Sequence, residues 1–130
     1  MTQTTPFPNL QGQQYASLST FRKSGESVAT PIWFALEGSK IYVVTIANSG
    51  KVKRIRNSSR VQLAPCTSSG KLLGPSVDAT ARVLSEREGK HANEVLLKKY
   101  GLFYRAFGLM WSIRRSETAF LEIIRGEALP

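Results

Sequence analysis

The stretch spanning residues 40–63 limits the possible folds most, because it predicts two strands separated by only a short helix. Its first part contains IYVVT, a run of β-branched and aromatic residues that is typical of a buried strand, and its end returns to that character at VQL. Between these runs, Val52 and Ile55 stand three residues apart, as the inward face of a helix does. We therefore expect a strand, a helix and a second strand in direct succession.

The start of this helix is a candidate anion site. Asn48 and Ser49 are both good N-cap residues. A helix N-terminus offers unpaired N–H groups and a partial positive charge, so Ser49, the flexible Gly50 and Lys51 together form a plausible phosphate seat. Further cations follow along the helix at Lys53, Arg54 and Arg56. A solvated basic helix explains the same charges, and composition alone does not separate the two interpretations.

Length and composition indicate one globular domain. A chain of 130 residues can bury roughly two-thirds of the surface of its unfolded state, and 42% hydrophobic with 21% charged residues is ordinary for such a domain. The sequence contains no internal repeat and no second-domain boundary. Residues 1–130 are therefore expected to form a single domain, in which residues 1–9, with two prolines, are an N-terminal arm.

Neither a membrane segment nor a metal site is expected. No run approaches the ~18 consecutive apolar residues of a membrane span, and the first residues lack the basic and apolar regions of a signal peptide. The one cysteine, Cys66, cannot form an internal disulfide, so a reducing, cytoplasmic location is expected. The one histidine, His91, has no second ligand at metal-binding spacing, and the sequence offers neither a Ser-His-Asp set nor paired carboxylates.

The charge balance points to an anionic partner. Lys and Arg outnumber Asp and Glu by 18 to 9, which gives a net charge of +9. Nucleic acid, an acidic membrane surface and a small phosphorylated ligand are all compatible with that charge. The net charge by itself does not choose among them.

The rest of the chain is patterned mainly as strands in hairpins. Residues 10–16 are expected to form a short turn of helix. Ser85 and Glu88 match the capping box that opens a longer helix, which should end near Gly101. The expected strands cover residues 17–22, 27–36, 40–45, 61–63, 77–84 and 118–125.

Six strands with two helices predict a mainly β fold, a small closed antiparallel β-barrel with helices at its margin. Such a barrel has a packed interior, so a flavin-sized ligand would have to lie outside it, in a groove shared with a second subunit. Pro31 removes one hydrogen-bond donor from its strand, which suggests an edge, a bulge or a ligand site. The aromatic face of Phe103, Phe107 and Trp111 is expected to pack in the core or between subunits, or else to form a wall for a planar ligand.

The order of elements and two motifs resemble the pyridoxamine 5′-phosphate oxidase-like split-barrel superfamily of flavin- and deazaflavin-binding proteins. TIANSGK, which begins at Thr45, followed by RVQL, is similar to the family's T-N-x-x-S-R-K helix start and N-P-R-V strand. The resemblance implies a six-stranded antiparallel split β-barrel. It also implies that this segment holds the terminal phosphate of FMN or coenzyme F420, with Ser49 and Lys51 as ligands and Thr45, Gly50 and Arg56 nearby. Gly50 departs from the family pattern, because many members have arginine there.

The preceding strand narrows the resemblance. VATPIWF is similar to the P-x-x-x-P-V-W-F strand of the F420-dependent branch, which implies that Thr30, Pro31, Ile32 and Trp33 line the cofactor ring. The N–H groups of positions 32, 33 and 34 are candidates to face ring heteroatoms. A plain core tryptophan is the alternative for Trp33. True pyridoxamine phosphate oxidases carry Arg and Lys where this chain has Thr30 and Ala35, so that activity is not expected.

The resemblance implies a flavin- or deazaflavin-dependent oxidoreductase, most simply an F420-dependent reductase of a small unsaturated or quinone-like substrate. It further implies a homodimer with the cofactor at its interface, and the basic surplus would suit the acidic tail of F420. The catalytic residues are unknown, because Tyr42, Tyr100 and Tyr104 are equal candidates for the proton donor. The alternative is a non-enzymatic protein that binds and stores a flavin, F420 or haem. A basic nucleic-acid-binding domain ranks below both.

Overall fold

The computed structural model describes residue 10 and residues 12–47, 49–101 and 118–125. The elements in these residues are, in chain order, β1 (Tyr15–Phe21), β2 (Ser27–Glu37), β3 (Lys40–Ile46), α1 (Gly50–Asn57), β4 (Arg60–Cys66), β5 (Val77–Val83), α2 (Glu86–Tyr100) and β6 (Thr118–Arg125). Several features singled out in the sequence lie outside the described residues, namely the arm 1–9, Asn48, Tyr104 and the aromatic face of Phe103, Phe107 and Trp111.

The six strands close into an antiparallel barrel in the order β1-β2-β3-β6-β5-β4. Side chains alternate along each strand, and the inward set includes the fully buried Leu18, Phe34 and Leu121. This confirms the predicted fold class. Because apolar side chains fill the interior, a ligand of cofactor size has room only on the outside of the barrel.

Helix α2 packs on the outside of the barrel, against β2, β3 and β6. The predicted capping box is confirmed, because the Ser85 hydroxyl accepts the Glu88 N–H and the Glu88 carboxylate accepts the Ser85 N–H. The helix buries an apolar stripe made by Ala92, Val95 and Leu96. A Cβ at Gly89 would lie 2.9 Å from Cδ2 of Phe120, so this glycine allows the close approach of α2 to β6.

The helical turn expected for residues 10–16 is wrong beyond its first residues. One turn bond closes there, from the Gln13 N–H to the Leu10 carbonyl at 3.1 Å. Strand β1 then begins at Tyr15, which already lies between partners in β2 and β4. Pairing with two strands outweighs the weak local preference for a helical turn.

Strands β2 and β3 are paired over only part of their length. Pairing joins residues 34–37 of β2 to residues 40–43 of β3, next to their shared turn. Residues 27–33 of β2 keep β1 as their partner, whereas residues 44–46 of β3 pair with β6. The two strands therefore leave an opening between residues 27–33 and residues 44–46, and α1 begins just beyond it.

Candidate functional site

Ser49 stands at the start of α1 with an unused hydroxyl. Its backbone is extended, with φ −70° and ψ 159°, as an N-cap requires, yet its side chain makes no capping hydrogen bond. The Ser49 Oγ atom is buried and has no hydrogen-bond partner among the described residues. A buried polar atom without a partner costs about 1–3 kcal/mol. The helix itself therefore does not use this hydroxyl.

Lys51 brings a positive charge to the same helix start. Its Nζ donates to Oγ1 of Thr45, a buried β3 residue, at 3.3 Å. Burial, followed by repulsion from Arg54, lowers the pKa of Lys51. The first turn of α1 has no acidic residue, and the ion pairs among the described residues do not include Lys51. Together with the helix N-terminus, this amine makes the site positive.

The side chains of Thr30 and Ile32 on β2 both point toward the inside of the barrel, but only that of Ile32 is apolar. Ile32 is 6% exposed and belongs to the apolar core. The Oγ1 atom of Thr30 is buried without a hydrogen-bond partner among the described residues, like that of Ser49. Thr30 lies in the part of β2 that borders the opening. Unpartnered hydroxyls therefore occur on β2 and at the start of α1.

The backbone of β2 is open toward β3 beside Pro31. The Phe34 N–H donates to the Tyr100 hydroxyl at 3.0 Å on the β1 side, so the expectation that it could face a ring is wrong. Backbone groups alternate in direction along a strand, so those of Ile32 also point toward β1, where Ala16 is its partner, and the same expectation is wrong for its N–H. The backbone groups of Pro31 and Trp33 point the opposite way, toward the opening. Pro31, which is exposed, therefore removes no bond from the β1 ladder. The edge interpretation of this proline is supported.

Trp33 lies on the outer face of β2, at the last position before pairing with β3 begins. Its ring stacks on Tyr100 of α2, with ring centroids 4.7 Å apart and an interplanar angle of 18°. The side chain is half-buried and packs with the outer cluster beneath α2, not with the barrel interior. Trp33 is thus neither a barrel-core residue nor a freely exposed ring.

The C-terminal turn of α2 holds β2 in place beyond the start of β1. The Tyr100 hydroxyl contacts the Phe34 carbonyl at 2.7 Å and the Gln14 carbonyl at 2.8 Å, and donates its one hydrogen to one of them. Lys99 Nζ donates to the carbonyls of Phe34, at 2.8 Å, and Gln13, at 2.7 Å. It also lies 3.7 Å from the centroid of the Phe34 ring. Side chains of α2 therefore complete the hydrogen bonding of β2 where β1 is missing.

The buried ammonium of Lys99 predicts a pH dependence of stability. Burial lowers the pKa of Lys99 to about 8, whereas an unfolded lysine titrates near ~10.4. Between these values the unfolded state binds more protons, so the free energy of unfolding should rise as the pH rises from about 8 to about 10. Burial raises the pKa of Tyr100 to about 12, so stability should fall again above about pH 10, where the unfolded tyrosine ionises first.

Urea denaturation of the wild type and of Lys99→Met at about pH 7.5 and about pH 9.5 checks this prediction. The denaturation midpoint should rise with pH in the wild type and rise less in the variant. Lys51, whose pKa is also lowered, is present in both proteins, so the difference isolates Lys99. An equal rise in both proteins would contradict the prediction.

Arg56 is not brought together with the other expected site residues. It lies in the last turn of α1 and lines a cleft of about 540 Å³ that also involves Ser59, Arg82 and Glu88. Sequence reasoning missed Arg54 instead. The Arg54 Nε donates to Oγ1 of Thr20 at 2.6 Å, and the guanidinium lies over the start of α1. The spacing of four residues between Gly50 and Arg54, one helical turn, is the sequence signal that could have indicated it.

The described residues contain no group of three or more His, Cys, Asp or Glu side chains that could hold a metal ion. Neither α1 nor α2 is long and apolar enough to cross a membrane.

Comparison with known proteins shows the family. The family model described as pyridoxamine 5′-phosphate oxidase matches residues 7–118, a span that includes the opening, α1 and α2. The chain belongs to this family. A search among curated proteins found no significant match.

Solved structures with the same fold have low sequence identity to this family member. The haem storage protein HutZ of Vibrio cholerae has 9% identity and a TM-score of 0.68, over 91% of this chain and 85% of that one. A conserved hypothetical protein of Mycobacterium tuberculosis has 20% identity and a TM-score of 0.67, over 92% and 77%. An F420 reductase has 13% identity and a TM-score of 0.59, over 98% and 97%. Such likeness shows the fold alone.

Proposed function

We propose that this protein binds FMN or coenzyme F420 across the opening between β2 and β3 and acts as an oxidoreductase. The observation that carries the proposal is the buried, unpartnered Ser49 hydroxyl at the start of the helix that also bears the Lys51 ammonium, which has no acidic partner among the described residues. An anionic phosphate group supplies what both groups lack. It accepts a hydrogen bond from the hydroxyl and neutralises the ammonium.

The phosphate would be held by Ser49, Lys51 and the first N–H groups of α1, beginning at Gly50. Thr45 keeps the Lys51 amine at the helix start through the 3.3 Å contact with its hydroxyl. Arg56 would not reach this phosphate, because it lies in the last turn of α1 on the side of the 540 Å³ cleft. Arg56 is left for a more extended part of the ligand, such as an acidic tail.

The ring would lie along the open edge of β2. Thr30, Pro31 and Trp33 border the opening, whereas Ile32 faces away from it, because its side chain is in the core and its backbone pairs with Ala16 of β1. The stack of Trp33 on Tyr100 fixes an aromatic surface at the point where β2 and β3 separate. These contacts support a planar ligand that is recognised by stacking and by backbone groups.

A bound flavin or deazaflavin ring would supply hydride transfer, and the chain would position the substrate and exclude water. We propose a small unsaturated or quinone-like molecule as substrate. Two of the candidate proton donors fit poorly. Tyr100 is tied to the backbone of β2 and its pKa is raised to about 12, and Tyr42 is 4% exposed. Tyr104 lies outside the described residues, so the proton donor stays unassigned.

Oxidation of pyridoxamine 5′-phosphate is not proposed, despite the name of the family. Thr30 carries no charge, and Ala35 is 1% exposed in the cluster beneath α2. Neither residue offers a cation to a substrate phosphate. The same site could serve a protein that stores a flavin or F420 without chemistry. Haem storage is less well supported, because His91 is bound to Glu37 at 2.6 Å, at the opposite end of β2 from the opening.

The visible absorption spectrum of the purified protein, followed by titration with FMN, F420 and haemin, tests the proposal. We expect the protein to bind FMN or F420, and to bind F420 at least as tightly as FMN. The affinity for F420 should be the more sensitive to salt, because the exposed cations that contact its longer tail are screened. No pyridoxal phosphate should form from pyridoxamine 5′-phosphate with either cofactor. Binding of haemin alone, or of neither cofactor, would contradict the proposal, and so would pyridoxal phosphate production.

We also predict a homodimer with the cofactor at its interface. Ile46, which is 43% exposed, ends β3 at the opening, and Leu72 and Leu73, each 54% exposed, lie in the loop whose Gly70 approaches Pro31. A second copy of the chain would cover these apolar side chains. Light scattering at micromolar concentration should give twice the mass of the chain. A stable monomer that still binds the cofactor would contradict this prediction.

A further inference from the structure

Gly50 has no room for a side chain in the observed arrangement. A Cβ at this position would lie 2.6 Å from Nη1 of Arg54, 3.4 Å from Cζ and 3.5 Å from Nη2. The backbone of Gly50 is ordinary helix, so the glycine is not needed for a positive φ. What it provides is space for the guanidinium of Arg54, which reaches back one turn along α1.

A hydrogen bond to β1 holds the Arg54 guanidinium in this place. Arg54 Nε donates to Oγ1 of Thr20 at 2.6 Å, and Thr20 is fully buried in β1. This contact uses the inner edge of the guanidinium. The outer nitrogens, Nη1 and Nη2, are the atoms that approach Gly50 at the start of the helix. Two parallel donors of this kind match the geometry of a phosphate or a carboxylate.

The position of Arg54 is electrostatically unfavourable in the chain alone. Its charge lies near the positive end of α1, where an anion is stabilised and a cation is not. The pKa of Lys51 is lowered by burial and, next, by repulsion from Arg54, so the two cations are close. The first turn of α1 has no acidic residue, and Arg54 joins no ion pair among the described residues. The unpartnered hydroxyl of Ser49 is at the same helix start.

We propose that Arg54 is a further ligand of the phosphate of the bound cofactor, and that Gly50 is required because it admits the Arg54 guanidinium to the helix start. This inference rests on the proposed function, since it adds a residue to the same site. The group bound is the anionic phosphate of either cofactor, held between the Lys51 ammonium and the two outer nitrogens of Arg54. Arg54 would thus take the role of the arginine that many members of the family have at the position of Gly50.

The test compares three variants, Arg54→Gln, Gly50→Ala and Lys53→Gln, with the wild type. Lys53 is exposed on the same helix, so its variant loses the same charge without touching the site. Affinity is measured by calorimetry for FMN and F420, and for their phosphate-free counterparts, riboflavin and the deazaflavin nucleoside. Arg54→Gln should lower the affinity for the phosphorylated ligand at least about tenfold, as loss of a charge-assisted hydrogen bond does. Lys53→Gln should stay within about twofold of the wild type.

Gly50→Ala should lower the affinity for the same ligand, because the new methyl group displaces the guanidinium of Arg54. The fold should stay intact, because the displaced group is the end of a flexible side chain. None of the variants should change the binding of the phosphate-free ligands. A second readout needs no ligand, because removing the Arg54 charge should raise the pKa of the Lys51 amine, measured by NMR. If the wild type binds neither cofactor, the proposed function fails, and this inference with it. The other outcomes assume that the wild type binds a cofactor. If the affinity of Arg54→Gln for that cofactor equals that of Lys53→Gln, or if Arg54→Gln lowers the affinity for riboflavin by the same factor, only the inference about Arg54 is overturned.

Discussion

Replacing Lys51 by alanine is expected to weaken the binding of FMN or F420 by roughly tenfold to a hundredfold, about 1.5–3 kcal/mol, because one charge-assisted contact to the phosphate is lost. The amine is half-buried beside Thr45, so a contact made there is poorly screened by water. Calorimetric titration of both proteins measures the change. Unchanged affinity would refute the assignment of the phosphate to this helix start.

The same substitution should change the stability of the ligand-free chain by no more than about 1 kcal/mol, because two effects oppose each other. Burial and repulsion from Arg54 both lower the pKa of Lys51, so its charge is unfavourable in the folded protein, but its removal also takes a partner from the buried Thr45 hydroxyl. The midpoint temperature of thermal unfolding of the ligand-free variant should therefore stay close to that of the wild type. Lys53→Ala is the matched control, since Lys53 is exposed two residues further along α1 and its replacement should leave both affinity and stability almost unchanged. A large loss of stability in Lys51→Ala would mean that the lysine supports the fold and not the ligand.

Replacing Tyr100 by alanine is expected to give the largest loss of stability, about 3–5 kcal/mol, as removal of a buried aromatic side chain does. Tyr100 is 8% exposed and stacks on Trp33. Its hydroxyl also serves the backbone of Phe34, which has no β1 partner at that point. Tyr100→Phe removes only the hydroxyl and leaves the Phe34 N–H unpaired, so it should cost about 1–3 kcal/mol.

Urea denaturation of the two variants measures these changes, with tryptophan fluorescence as the signal for the Trp33 environment. A Trp111→Phe background leaves Trp33 as the single emitting tryptophan. Tyr42→Phe is the control, because the Tyr42 hydroxyl forms no hydrogen bond with the described residues although the ring is buried. If Tyr100→Phe is as stable as Tyr42→Phe, the hydroxyl does not replace the missing strand partner.

These two predictions separate binding from architecture at the opening. Lys51 is expected to bind the ligand, whereas Tyr100 is expected to stabilise the chain by holding β2 and stacking on Trp33. Both residues border the segment where β2 and β3 part. The proposed cofactor site combines the edge of β2 that is not paired with β3 and a helix start without an acidic residue.

Much of the fold could be predicted from the sequence because its signals are local. The Ser85 and Glu88 capping box depends on residues three apart, and the structure shows both of its hydrogen bonds. Alternation along a strand depends on a period of two residues, and in β5 the buried Ala79 and Ala81 alternate with polar residues as the sequence pattern predicts. The helix start at Ser49 and Gly50 was predicted for the same reason. Closure of the barrel is different, because it depends on the pairs β1–β4 and β3–β6, whose strands are not successive in the chain.

Other properties were decided only by tertiary contacts, because they depend on residues far apart in the chain. Strand β1 begins at Tyr15 since β2 and β4 lie on either side of it, and no pattern within residues 10–16 contains that information. The orientation of Trp33 is set by Tyr100, and the anchoring of β2 is set by side chains more than 60 positions away. Arg54 and Arg56 look equivalent in a basic helix. The buried Thr20 hydroxyl and the space above Gly50 direct one guanidinium to the helix start, whereas the other lies in a separate cleft.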